Sequence, residues 1–142
     1  MKNGLRLLAA LCVAPLLYGL LCLPLLGWWM SLFPSKVNEL GGTSYVPLVI
    51  SIEVLQAGVL LLCGMVAALI GGRGGWQRVC LAMATLVMLV IGVMVQRQFW
   101  DALPAWHHWI FFLLILAMMP VGGVITHRLQ RNRNCDAAVR LG

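Results

Sequence analysis

The sequence predicts an all-α integral membrane protein, an antiparallel bundle of four transmembrane helices with both termini cytoplasmic. Hydrophobic residues make up 62% of the 142 residues and charged residues only 10%, whereas a soluble domain carries about 25% charged residues. The apolar residues fall into four runs of roughly twenty, the length that crosses a hydrocarbon core of about 30 Å. Most of the ten basic residues lie on one side of these runs, which predicts the orientation.

The four runs account for nearly the whole chain, so we expect 1–142 to form a single membrane domain. The predicted segments are TM1 at about 7–30, an outer loop at 31–46, TM2 at 47–70, an inner loop at 71–78, TM3 at 79–95, an outer loop at 96–107, TM4 at 108–126 and a cytoplasmic tail at 127–142.

The first run follows two basic residues, as the apolar part of a signal peptide does, but it continues to Met30. It is longer than the 7 to 15 apolar residues typical of a signal peptide, and no small-x-small cleavage site follows. We therefore expect an uncleaved span. Pro15 and Pro24 lie inside it, and membrane helices tolerate proline where neighbouring groups satisfy the freed carbonyls. Trp28 and Trp29 end the run, as expected for indoles at a membrane interface.

The second run carries the most unusual residue, Glu53, in an otherwise apolar stretch. Pro47 suits the first turn of a helix, where its missing N–H costs nothing. The GGRGG sequence at 71–75 ends the run, and it lacks the GK[ST] ending of a phosphate-binding loop. A carboxylate inside a membrane span is costly, so Glu53 requires either a structural partner or a function.

A helical wheel places Glu53 at the head of a seam of mostly small or polar residues. The residues within about 60° of Glu53 are Gln56, Ala57, Leu60, Gly64, Ala67, Ala68 and Gly71. The opposite face carries Leu55, Val59, Leu62, Val66 and Leu69. Since small residues allow membrane helices to approach closely, we expect the seam to meet the other spans and the aliphatic face to meet lipid.

The third run is short and rich in methionine, and a polar turn with Trp100 and Trp106 separates it from the fourth run, which has Trp109 at its start. Eight basic residues lie on the side of the two termini: Lys2, Arg6, Arg73, Arg78, Arg128, Arg131, Arg133 and Arg140. Lys36 and Arg97 lie on the other side. Because cytoplasmic loops of membrane proteins are enriched in Lys and Arg, both termini should be cytoplasmic.

Glu53 lies six residues after Pro47, about 9 Å along a helix, which places it in the outer leaflet. Other polar residues are expected at the same level of the bundle. The candidate intramembrane polar site consists of Glu53, Gln56, Gln96, Arg97, His107 and His108. One hypothesis makes Glu53 a proton-coupling or ligand-binding carboxylate. The other makes it a structural residue, hydrogen-bonded to a neighbouring helix or extending towards the outer headgroups.

The sequence indicates no catalytic, cofactor-binding or metal-binding residues. Adjacent histidines point about 100° apart, and His127 lies about 28 Å along a helix from His108, too far to share a haem iron. No arrangement of a nucleophile and a base is recognisable around the hydroxyl residues, so an enzyme is not favoured; these residues are Ser31, Ser35, Thr43, Ser44 and Ser51. The five cysteines form no CxxC pair and are expected to be packing residues.

Three functions stay open from the sequence. The first is a non-catalytic subunit or accessory of a membrane complex, and the second is an oligomeric proton-coupled small-molecule transporter that uses Glu53. The third is a quinone- or lipid-binding membrane protein with an outer-leaflet polar site. The expected partners are the lipid bilayer and another membrane protein or a second copy of the chain. The net charge of +6 is explained by the loops, so no nucleic acid is expected. The expected location is the bacterial inner membrane.

Overall fold

A computed structural model describes residues 2–37, 43–72 and 74–141, with side chains as far as residue 132. Its described part is all-helical, and four of its helices are long and apolar enough to cross a membrane. The elements are α1 (Lys2–Ser31), a short 3-10 helix (Pro34–Lys36), α2 (Val46–Gly71), α3 (Gly75–Gln98) and α4 (Ala105–Leu141). The predicted number of membrane-spanning helices is confirmed, as is the all-helical fold class.

Each helix extends beyond the corresponding predicted span at both ends. For example, α3 begins at Gly75 and ends at Gln98, whereas the predicted span covers 79–95. The reason is that hydropathy marks only the part of a helix suited to hydrocarbon, while backbone hydrogen bonding continues into the polar flanks. In α4 the helix continues to Leu141, well beyond the end of the predicted span at residue 126.

The second helix, α2, is the centre of the bundle because it makes the most extensive contacts with the other long helices. It contributes twelve buried residues, whereas α1 buries only Ala10, Ala14 and Cys22. The hydrophobic core contains residues of all four helices: Ala14, Cys22, Val59, Leu60, Cys63, Ala67, Ala84, Met88, Phe111, Ile115 and Met119. Cys80 is also buried and Cys12 is exposed, while the side chain of Cys135 lies outside the described residues.

The predicted seam on α2 faces the bundle, but the predicted lipid face is wrong at Val59. All seam residues except the half-buried Ala57 are buried, and Leu62 and Leu69 on the opposite face are exposed. Val59 nevertheless lies in the core. Contacts with three neighbouring helices cover an arc of about 200° on α2, reaching from Leu48 to Ala68, wider than the sector centred on Glu53.

The closest helix contact joins α2 and α4 at two glycines. A Cβ atom on Gly64 would collide with the carbonyl oxygen of Met119, and one on Gly122 would collide with the carbonyl oxygen of Leu61. The two backbones therefore touch directly, as small residues permit in membrane bundles. Thr126 extends this contact by donating a hydrogen bond to the carbonyl oxygen of Met65 at 3.3 Å.

The connection between α2 and α3 is short because two glycines adopt backbone conformations that other residues rarely adopt. Gly72 and Gly74 have φ angles of 78° and 80°. Glycine has no Cβ and enters this region without a steric penalty. The predicted GGRGG turn thus ends α2 at Gly71 and allows α3 to begin at Gly75. Arg73 lies outside the described residues.

Candidate functional site

Most of the polar residues inside the bundle lie at one end, which we call the tryptophan-rich end. It contains the contacts of Glu53 with His107 and of Gln96 with His108. Trp29 of α1 donates a hydrogen bond from Nε1 to the hydroxyl of Ser51 in α2, at 2.7 Å. Five of the six tryptophans belong to this end: Trp28, Trp29, Trp100, Trp106 and Trp109.

Glu53 faces the interior of the bundle and contacts His107 of α4. Its Oε1 lies 2.5 Å from His107 Nδ1, and the two side chains are 9% and 1% exposed. The two atoms are within ion-pair distance but are not aligned as a directed hydrogen bond, and Glu53 Oε2 has no hydrogen-bond partner among the described residues. A buried carboxylate without full compensation is costly, so His107 provides the contact that makes this position tolerable.

His108 faces a different helix. Its Nδ1 is hydrogen-bonded to Gln96 Oε1 of α3, and its Nε2 lies 3.3 Å from the carbonyl oxygen of Trp100. The imidazole also stacks on the Trp100 indole, with ring centroids 4.4 Å apart and an interplanar angle of 10°. Since neighbouring helical residues point about 100° apart, His107 reaches α2 while His108 reaches α3.

A cavity of about 260 Å³ lies beside these residues, between all four helices. Its walls are mainly apolar, and its polar lining comes from Gln56, Gln96 and His107, together with Tyr18 and Cys22. The other lining residues are Leu23, Leu26, Met30, Ile52, Met88, Ile91, Gly92, Val95, Phe99, Leu103 and Phe111. Gln56 is buried, and its Oε1 has no hydrogen-bond partner among the described groups.

Some apolar residues of α1 and α3 that line the cavity are also exposed at the surface of the bundle. Leu23 of α1 and Ile91 and Val95 of α3 line the cavity and are 69%, 37% and 42% exposed. These residues lie within the membrane-spanning parts of their helices. Part of the cavity lining therefore lies on the surface that lipid chains would cover.

The structure brings together five of the six residues of the predicted polar site. The cavity is lined by Gln56, Gln96 and His107. Glu53 contacts His107, and His108 is hydrogen-bonded to Gln96. Arg97, considered as a partner of Glu53, is exposed instead. The reason is that Gln96 takes the inward position on α3, and the next residue is rotated by about 100°.

Sequence reasoning did not identify the cavity or its apolar lining. Residues such as Tyr18 of α1, Met88 of α3 and Phe111 of α4 are far apart in the chain and look like ordinary core residues. The buried glutamines Gln56 and Gln96 are the one signal that could have located it, since amides in a membrane span require partners.

No group of three or more His, Cys, Asp or Glu side chains suited to a metal ion occurs within the described ranges. The contacts of the polar cluster are hydrogen bonds and one ion pair. Comparison with known proteins finds no matching family model, no matching curated protein and no matching solved structure.

Proposed function

We propose that this small multi-pass membrane protein binds an amphiphile, which enters the cavity from the bilayer between α1 and α3. The observation that carries the proposal is the cavity itself, with apolar walls and a small buried polar patch formed by Gln56, Gln96 and His107. Ligand sites in proteins typically combine an apolar lining with a few polar groups that orient the ligand.

The shape of the cavity supports a ligand with a polar head and an apolar chain. At about 260 Å³ it lies just below the range of about 300–1,000 Å³ that is usual for ligand pockets. It would hold a compact head and the first part of a chain. The remainder of the chain would leave past Leu23 and Val95, whose exposed apolar surfaces suit lipid.

A variant that fills the cavity tests this function. Val95→Trp introduces an indole at an exposed residue that lines the cavity, and Val93→Trp introduces the same group at a similarly exposed position on α3 that does not line the cavity. Protein purified in mild detergent is incubated with a lipid extract, and bound molecules are measured by native mass spectrometry. We expect the unaltered protein and Val93→Trp to retain an amphiphile and Val95→Trp to lose at least about 90% of it.

Equal retention by the two tryptophan variants would contradict the proposal, as would an unaltered protein that binds nothing from the extract. The same purification addresses the other two functions that the sequence leaves open. A stoichiometric protein partner would favour the accessory-subunit hypothesis. Loss of pH-dependent flux from proteoliposomes in Glu53→Gln would favour the proton-coupled transporter.

We also propose an antiparallel bundle in a bacterial inner membrane, with the tryptophan-rich end outward and both termini cytoplasmic. The support is the distribution of basic residues, eight on the side of the termini and two on the other. A membrane-impermeant amine reagent applied to intact spheroplasts should modify Lys36 and leave Lys2 unmodified. The reverse pattern would overturn the orientation.

A further inference from the structure

We infer that the bound amphiphile carries an uncharged head with a hydroxyl group, which donates a hydrogen bond to Gln56 Oε1 and contacts the imidazole of His107. This inference rests on the proposed function and specifies the chemistry of the ligand. Two observations carry it. Gln56 Oε1 has no hydrogen-bond partner among the described residues, and His107, which lines the cavity, contacts Glu53, which does not.

Gln56 provides a hydrogen-bond acceptor at the cavity. This side chain is 5% exposed, lines the cavity and has a buried Oε1 without a hydrogen-bond partner among the described residues. Buried carbonyl oxygens nearly always accept a hydrogen bond. A ligand that donates one here would satisfy an atom that the protein itself leaves unpaired, so a donor on the head group is favoured.

His107 has one ring nitrogen that is not in contact with Glu53. Its Nδ1 lies 2.5 Å from Glu53 Oε1, where the lone pair of an unprotonated nitrogen would be repelled by the carboxylate. A proton therefore lies between these two atoms, and Nε2 is the ring nitrogen left for a ligand in the cavity. A hydroxyl can both donate and accept, so it suits Nε2 in either protonation state.

The lining of the cavity disfavours a charged head group. A phosphate or carboxylate head would be buried without an arginine beside it, because Arg97 is exposed rather than directed at the cavity. An ammonium head would be buried without direct contact to a carboxylate, because Glu53 does not line the cavity. A neutral hydroxyl head is left.

Two sources supply this chemistry in a membrane, a hydroquinone and an isoprenoid alcohol. The test compares decyl hydroquinone with its dimethyl ether, and farnesol with its methyl ether, by thermophoresis of the purified protein in detergent. Dodecyl phosphate and dodecyltrimethylammonium provide the charged heads. We expect one hydroxyl probe to bind at least about tenfold more tightly than its ether, and the pair that shows this difference identifies a phenolic or an aliphatic source.

Variants of two buried glutamines test the role of Gln56. Gln56→Met keeps an unbranched side chain and removes the acceptor, so it should weaken the hydroxyl probe about tenfold and leave the ether nearly unchanged. Gln77→Met is the matched control, because Gln77 is equally buried, has an unpartnered amide nitrogen in the described structure and lies at the opposite end of the bundle. It should leave both affinities unchanged.

Ethers that bind as tightly as the hydroxyl probes would overturn the inference, as would tighter binding of either charged probe. These ligand comparisons use the unaltered protein, so they decide the matter even if Gln56→Met does not fold. Amphiphile binding that Val95→Trp abolishes, but that ignores the hydroxyl, would refute the head-group chemistry and leave the proposed function intact. Failure of every probe and of the lipid extract would refute both.

Discussion

The two halves of α2 differ in how they pack against the neighbouring helices. The C-terminal half presents Gly64, Ala67 and Ala68 to its neighbours, and at Gly64 its backbone contacts that of α4. The half at the tryptophan-rich end presents Glu53 and Gln56 instead, next to a cavity, and some of their polar atoms are unpaired among the described groups. The first half is tightly packed and apolar, and the second is polar and incompletely filled.

This difference indicates a division of labour along one helix. Dispersion contacts and close backbone approach stabilise membrane bundles, whereas buried unpaired polar atoms and cavities destabilise them. Natural proteins tolerate such unfavourable features chiefly at functional sites. The contact between α2 and α4 provides stability that the polar half lacks, so the cavity can stay open without unfolding the bundle.

Breaking the tight half should have the largest effect. Gly64→Val places a branched side chain against the Met119 backbone, and we expect it to lower the free energy of unfolding by about 4 kcal/mol or more. Gly58→Val is the matched control, since no atom lies within 4 Å of the position that its Cβ would occupy. Unfolding is followed by circular dichroism during titration with a denaturing detergent. Similar curves for the two variants would show that the contact is not tight.

Replacing both residues of the ion pair should restore stability but not ligand binding. His107→Leu leaves the buried Glu53 carboxylate without its contact, and we expect a loss of about 3 kcal/mol. The double variant Glu53→Leu/His107→Leu should recover most of that loss, since well-packed apolar residues often replace a buried pair without cost. It should also lose binding of the hydroxyl probes. Additive losses in the double-mutant cycle would argue against a direct coupling.

The hydrogen bond between Gln96 and His108 should have the smallest effect of the three. Gln96→Leu removes the acceptor for His108 Nδ1 and should cost about 1–2 kcal/mol, because His108 keeps its stacking contact with Trp100. Gln98→Leu at an exposed position near the end of the same helix should change stability by less than about 0.5 kcal/mol. Equal stability of the two variants would show that this bond contributes nothing.

The helices and the buried seam could be predicted from the sequence because they depend on local properties. Apolar runs mark the four helices, and the period of α2 places Leu60, Gly64 and Ala67 on one side of it. Val59 was assigned wrongly because a helical wheel does not show how many neighbours a helix has. In this bundle α2 contacts three, so its buried arc is wider than the seam.

The site could be predicted as a set of residues but not as an arrangement. The pattern of apolar runs brought Glu53, Gln96 and the two histidines to one level of the bundle. It could not decide which histidine faces Glu53, because a rotation of α4 by one residue exchanges them. Nor could it indicate the cavity, because its lining comes from residues of all four helices that are far apart in the chain.

The crowding of indoles at one end also has an optical consequence. Five of the six tryptophans belong to the end that holds the cavity, and Trp100 stacks directly on His108. Only Trp76 lies at the opposite end. The intrinsic emission of the unlabelled protein is therefore weighted towards the surroundings of the polar cluster, so the natural chromophores of this chain report on its most informative region.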